Sequence, residues 1–163
     1  MENHYGHCTS RGDLSDSVSM DLIENLPARA NRVHRGRRDA RVVPVAYLVR
    51  EGRFVFCTIP SSDKVPALQR DPRVAITIDV AQPPCCLLLR GHAKVEIVDG
   101  VPDDYLEASH RNLSADQHED FDAQVRELYD SMARIVITPN WVRLNDFHRT
   151  LPRAVERIVA SKS

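Results

Sequence analysis

Thr58, Ser61, Ser62 and Lys64 put three hydroxyls and one ammonium group close together in the stretch CTIPSSDKVPALQRDPRV, residues 57–74. Pro66 is tolerated only near the start of a helix, and Pro72 ends one. KVPALQRDP therefore predicts a helix of two turns at most, set between two strands. Hydroxyls, backbone N–H groups and a compact cation at a helix start suit a phosphate, because the dipole there is positive and the N–H groups lack partners. The same residues also read as ordinary capping serines and a solvated lysine. On their own they leave both readings open.

The other reactive side chains are less organised. His92 lies in a strand-like run and could donate a proton in a groove, or could simply be packed or solvated. His110, His118 and His148 have nothing to single them out. His4, His7 and Cys8 cluster in HYGHC, which reads as a metal site or as a solvated tail. The four cysteines are Cys8, Cys57, Cys85 and Cys86, with no C-x-x-C among them. Neither a zinc site nor a redox pair is signalled. Cys85 and Cys86 would face opposite sides of a strand, so they read as reduced thiols, with a regulatory disulfide as the alternative. No triad, paired-carboxylate or metal-ligand spacing stands out, and no metal is expected.

These groups need elements to position them. RVVPVAYLV alternates, with Val43, Val45, Tyr47 and Val49 on one face; Pro44, lacking an N–H, makes it an edge or bulged strand. REGR predicts a hairpin turn around Gly52, and RFVFCTI the returning strand. RVAITIDV reads as a strand. CLLLRGHAKVEIV is a long strand with a bulge or bend at Gly91. PDDYLEASHRNL and SADQHEDFDAQVRELYDSMA read as helices, the second capped by Ser114. Its stripe is Phe121, Val125, Leu128, Tyr129 and Met132. RIVITPNWVRLNDF gives a strand pair, or one bent strand interrupted by Pro139. PRAVERIVASK gives a closing helix. MDLIENLP predicts a short early helix, with Asp21 as its cap and Pro27 as its end. Residues 1–18 read as a mobile tail, and residues 19–163 as one domain. The fold class is α+β, a barrel or sandwich of five or six antiparallel strands with peripheral helices.

Composition narrows the partners. The 163 residues suit a single core; 42% are hydrophobic and 28% charged. With 22 basic and 23 acidic residues the net charge is -1, which gives no case for nucleic acid or an anionic membrane surface. No apolar run approaches the roughly 20 residues of a membrane helix, and the N-terminus lacks the apolar core of a signal peptide. A cytoplasmic location is expected.

The order RVVPVAYLV, FVFCT, SSDKVPALQRDPRVAITID, PP, LLLRGHAKVEIVDGVP and MARIVITPNWVRLNDF resembles the pyridoxamine 5'-phosphate oxidase-like family over residues 40–150. Its most specific pieces are the hydroxyl-and-lysine loop before L-x-R-D-P-R-V, and the R-G-x-A-x-V of Arg90, Gly91, Ala93 and Val95. The resemblance implies a split β-barrel of about six strands. It implies a homodimer with a flavin cofactor in a groove between the subunits. Thr58, Ser61, Ser62 and Lys64 would hold its phosphate. Val43, Pro44 and Val45 would line its ring, and Trp141 would reach it across the interface. The cofactor implied is FMN, with the deazaflavin coenzyme F-420 as the alternative. The net charge favours FMN over the longer, acidic deazaflavin tail. The function implied is hydride transfer between the flavin and a small organic substrate. The alternative is a flavin or flat-ligand binding protein without catalysis.

The sequence departs from the family in two places. ARANRVHRGRRDA stands where an apolar first strand would be. Asp63 and Pro66 stand where a second basic residue is common. Arg29, Arg32, Arg35, Arg37 and Arg38 could compensate, or form a solvated loop.

Overall fold

A computed structural model describes residues 33–34, 40–80, 85–146 and 153–162. The expected tail, the helix around Asp21 and the five arginines between 29 and 38 lie outside these residues. Two short strands, β1 (Val33–His34) and β2 (Ala40–Arg41), pair with each other. The remaining strands are β3 (Leu48–Arg50), β4 (Arg53–Thr58), β5 (Arg73–Val80), β6 (Cys85–Asp99) and β7 (Ser131–Asp146). They form one antiparallel sheet in the order β3-β4-β7-β6-β5. The helices are α1 (Lys64–Arg70), α2 (Asp103–His110), α3 (His118–Leu128) and α4 (Arg153–Lys162). The main sheet thus has five strands rather than about six, and it is open.

The hairpin at REGR forms as its residues require. Glu51 and Gly52 both have positive φ, 50° and 72°, which matches a two-residue turn to the strand twist. The strand expected over 43–49 is shorter. Residues 42–47 are not in a strand, and β3 begins at Leu48. Pro44 cannot donate to a ladder, and the Tyr47 carbonyl is taken by the Arg111 guanidinium at 3.3 Å.

β6 and β7 are the long centre of the sheet. Their register slips between Arg90 and Gly91, where Gly91 faces Pro139 while Arg90 faces Trp141. Asn140 is the extra residue. A Cβ on Gly91 would lie 2.4 Å from the Thr138 carbonyl oxygen, so the bulge requires the missing side chain.

Alternation sends Leu87, Leu89, Ile76, Ile78, Ile135 and Ile137 to one face, where they are buried with Tyr47, Phe54 and Leu68. Each such side chain contributes about 1.5–3 kcal/mol by leaving water. On the other face, α2 and α3 cover one end of the sheet through Val101, Leu106, Val125 and Met132. Arg134 ties this layer down: its Nε donates to Asp104 at 2.6 Å and its Nη1 donates to Glu96 at 3.4 Å. Arg50 pairs with Asp104 at 3.6 Å and also with Glu107.

The second helix of the excursion ends earlier than its stripe suggests. Ser114 caps instead the 3-10 turn Ala115–Gln117 that precedes it, its N–H donating to Gln117 Oε1 at 3.1 Å, and the N-cap of α3 itself is Gln117. The chain then leaves the helix at Tyr129, because Ser131 onwards is claimed by the β6 ladder. Leu128 is left 68% exposed, and Met132 is buried from a strand.

Candidate functional site

β4 ends at Thr58, which pairs with Ala133 at the start of β7. The turn that follows is tight. Ser62 N–H donates to the Ile59 carbonyl at 3.0 Å, and Val65 N–H to the Ser62 carbonyl at 2.9 Å. Lys64 N–H approaches Ser62 Oγ at 3.4 Å. Asp63, not a serine, is the N-cap residue, and it makes no side-chain cap bond. The fully open N–H groups expected here are therefore partly satisfied within the loop. What remains for a ligand is the ammonium of Lys64 and the hydroxyls of Thr58, Ser61 and Ser62.

α1 is fastened beneath the loop. Val65, Ala67 and Leu68 are buried, while Ser61, Asp63 and Pro66 face out. Lys64 is half-buried, and among the described residues no carboxylate lies within ion-pairing distance of it. A half-buried cation without an internal counter-charge favours an external anion.

Val43, Pro44 and Val45 come to the same end. The antiparallel register Leu48↔Val55 brings the segment before β3 and the end of β4 to one side of the hairpin. Val43 and Val45 are half-buried and Pro44 is exposed. The residues expected for the phosphate thus share one loop, and those expected for the ring lie in the segment before β3, outside any strand. Trp141 is not with them in one chain. It faces Arg90, eight residues along β7 from Ala133, or about 26 Å at 3.3 Å per residue. His92 shares that distant region, with Nδ1 3.4 Å from the Asn140 amide.

Three arrangements carry no local sequence signal. Arg90 lies over the Trp141 ring at 4.8 Å. Arg111 lies over the Tyr47 ring at 5.8 Å. The rings of His110 and His118 stack at 3.9 Å, with His110 Nε2 2.7 Å from Asp122. Each joins residues distant in sequence or on different elements.

The thiols are held as thiols. Cys57, Cys85 and Cys86 are unbridged. Burial pushes Cys57 up from 9.0 to about 12, reinforced by Asp104 and opposed by Arg134. Burial likewise pushes Cys86 up to about 11. The Cys57 thiol of the unfolded chain ionises near pH 9, and that of the folded chain only near 12. Between those values the unfolded state alone gains the thiolate. Stability attributable to this group is complete below pH 9 and lost as pH rises towards 12. Urea midpoints at pH 8.0 and 9.7 should differ, and Cys57→Ala should shrink the difference. An equal drop in the variant rejects Cys57 as a source.

No protein-family model and no curated protein matches the chain. Solved structures do. A structure described as F420 reductase is 19% identical, with a TM-score of 0.57, covering 75% of this chain and 94% of that one. A Clostridium acetobutylicum protein related to general stress protein 26, of the pyridoxinephosphate oxidase family, is 13% identical with a TM-score of 0.56, covering 79% and 86%. The fold is that of the pyridoxamine 5'-phosphate oxidase-like proteins. An FAD binding protein from Mycobacterium smegmatis has it too, at 16% identity and a TM-score of 0.52, covering 81% and 96%. The pyridoxamine 5'-phosphate oxidase-like fold fits an open five-stranded sheet with peripheral helices. No helix among the described residues is long and apolar enough to cross a membrane.

Proposed function

We propose that the chain is a flavin-nucleotide oxidoreductase, acting as a homodimer on a small organic substrate. The observation that carries this reading is Lys64, without an ion-pair partner among the described residues, in the loop that also holds Thr58, Ser61 and Ser62. FMN is the cofactor favoured, and the deazaflavin coenzyme F-420 the alternative. The neighbours support a flavin of some kind, since their descriptions include F420 reductase and FAD binding.

Lys64 would neutralise the phosphate, and the three hydroxyls would orient it by donating to its oxygens. Val43, Pro44 and Val45 would lie along the ring and exclude water from one face. Trp141 would come from the second copy. When bound, a flavin supplies hydride exchange at its ring; the chain supplies position and polarity.

A second reading is a flavin carrier. The loop TIPSSDK contains no histidine, cysteine or tyrosine to relay a proton, which favours it. Equilibrium dialysis against FMN, FAD and coenzyme F-420 tests both readings. One FMN per chain, followed by oxidation of a nicotinamide donor, supports the oxidoreductase. Uptake without turnover supports the carrier. No uptake of any of the three overturns both.

A further inference from the structure

Two histidines of the α2–α3 layer take no part in the candidate site. His110 is the last residue of α2, and His118 is the first of α3. Between them the chain doubles back: Asn112 and Leu113 donate their N–H groups to the Ser109 and His110 carbonyls, and Gln117 donates to Ser114. The two imidazoles meet across this turn, stacked at 3.9 Å with their planes 3° apart. His110 Nε2 lies 2.7 Å from Asp122 Oδ1, and the Phe121 ring stands edge-on to His110 at 6.3 Å. His118 Nε2 is buried and has no hydrogen-bond partner.

Histidine changes charge between about pH 5 and 8, and the two rings meet that change differently. A proton on His110 sits beside the Asp122 carboxylate and at a helix C-terminus, where a cation is favoured. A second proton, on His118, sits at a helix N-terminus, where a cation is disfavoured. It also stands face to face with the first charge, on a ring whose Nε2 has no acceptor. The remaining groups around the stack do not balance it. Asp116 in the turn and Glu119 on α3 are exposed, so water screens their pull. Glu107 is engaged by Arg50, and Arg126 reaches Asp103. Tyr105, packed on Phe121 from α2, stays neutral, since burial holds its hydroxyl above the ordinary range.

The first residue of the turn ties it to the segment expected to line the flavin ring. Arg111 donates from Nη1 to the Tyr47 carbonyl at 3.3 Å and lies over the Tyr47 ring at 5.8 Å. Tyr47 is 1% exposed and stands two residues after Val45.

We infer that the His110–His118 stack is an acid-sensitive clasp, closed with at most one ring protonated and opened by the second proton, which frees Arg111 from Tyr47 and loosens the segment from Val43 to Tyr47. Closure is complete at the neutral end of the histidine range and is lost as pH falls through it, because the open form takes up the second proton more readily. The clasp itself stands apart from the flavin reading; its control of the cofactor segment rests on that reading.

Amide hydrogen exchange of the flavin-free full chain, corrected for the intrinsic pH dependence of exchange, tests the clasp at pH 7.5 and 5.0. Peptides covering 110–120 should exchange at least about tenfold faster at pH 5.0, while those of β6 and β7 keep their protection. His118→Phe keeps a flat ring and removes both the charge and the unpartnered nitrogen, so it should abolish the acid response. Asp122→Asn removes the counter-charge and should move opening to higher pH, a shift that loss of a neutral contact would not produce. Equal exchange at the two pH values, acceleration undiminished in His118→Phe, or an unmoved midpoint in Asp122→Asn overturns the clasp. FMN titration at both pH values is the second arm. The FMN phosphate itself gains a proton over this range, so parent and His118→Phe are compared: the loss of affinity should be at least about fivefold larger in the parent. Equal losses overturn the control of the cofactor segment. Absence of FMN uptake at either pH overturns the flavin reading, while the exchange result still decides the clasp.

Discussion

Lys64→Ala is expected to weaken FMN uptake by about 1.5–3 kcal/mol, the range for hydrogen bonds to a charged group, which is about 10- to 150-fold in dissociation constant. The loop makes this the most sensitive position. Ser62 and Val65 already spend their N–H groups on the Ile59 and Ser62 carbonyls. α1 has only seven residues, so its dipole is small and the ammonium must supply most of the attraction. Lys64→Arg should retain part of the affinity, because charge is kept while the compact geometry is lost. Flavin fluorescence quenching on titration measures both variants. An affinity for Lys64→Ala within twofold of the parent rejects Lys64 as the phosphate partner.

Leu68→Ala is expected to cost about 2–5 kcal/mol of stability. Leu68 is 2% exposed and buried in the main core, and it is the residue that fixes α1 against the sheet. For a domain stable by about 5–15 kcal/mol this is a large fraction. Urea unfolding should show a lower midpoint with an unchanged slope. The loss should also reach the candidate site, since Lys64 opens the same helix: FMN affinity should fall even where the variant remains folded. Gln69→Ala, exposed on the same helix, should change stability by less than about 0.5 kcal/mol. Equal behaviour of the two variants would reject Leu68 as the anchor.

Local pattern revealed much of this arrangement. Strand-like apolar runs marked β4, β5 and β6, the Glu51–Gly52 turn closed where its backbone freedom is needed, and Gly91 marked the bulge. The two-turn helix between Pro60 and Pro72 was set by its prolines. What failed were features decided by distant partners. The helix stripe through Tyr129 and Met132 was cut short because Asp99 pairs with Ser131. The strand through Pro44 was shortened because Pro44 has no N–H to give a ladder and the Tyr47 carbonyl accepts from Arg111. The hydroxyls and the lysine were legible as residue types, whereas the inward turn of the loop N–H groups depends on backbone path. The Arg90–Trp141 contact joins residues 51 apart, and only the register of β6 on β7 brings them together.

The helical excursion has a narrow neck. Gly100 N–H donates to the Asp130 carbonyl at 2.7 Å, and the next rung is Asp99 to Ser131. Everything from Val101 to Tyr129 is therefore looped out between the two longest strands. During refolding, the central ladder cannot zip from its nearest rung until some thirty residues have been gathered, whereas the β3–β4 hairpin meets its partner across two. The closure entropy of that gathering grows only slowly with length, so its burden falls on speed more than on final stability. A compact α2–α3 unit that forms early, on its own short-range contacts, would shorten the search and set the pace at which the five-stranded sheet assembles.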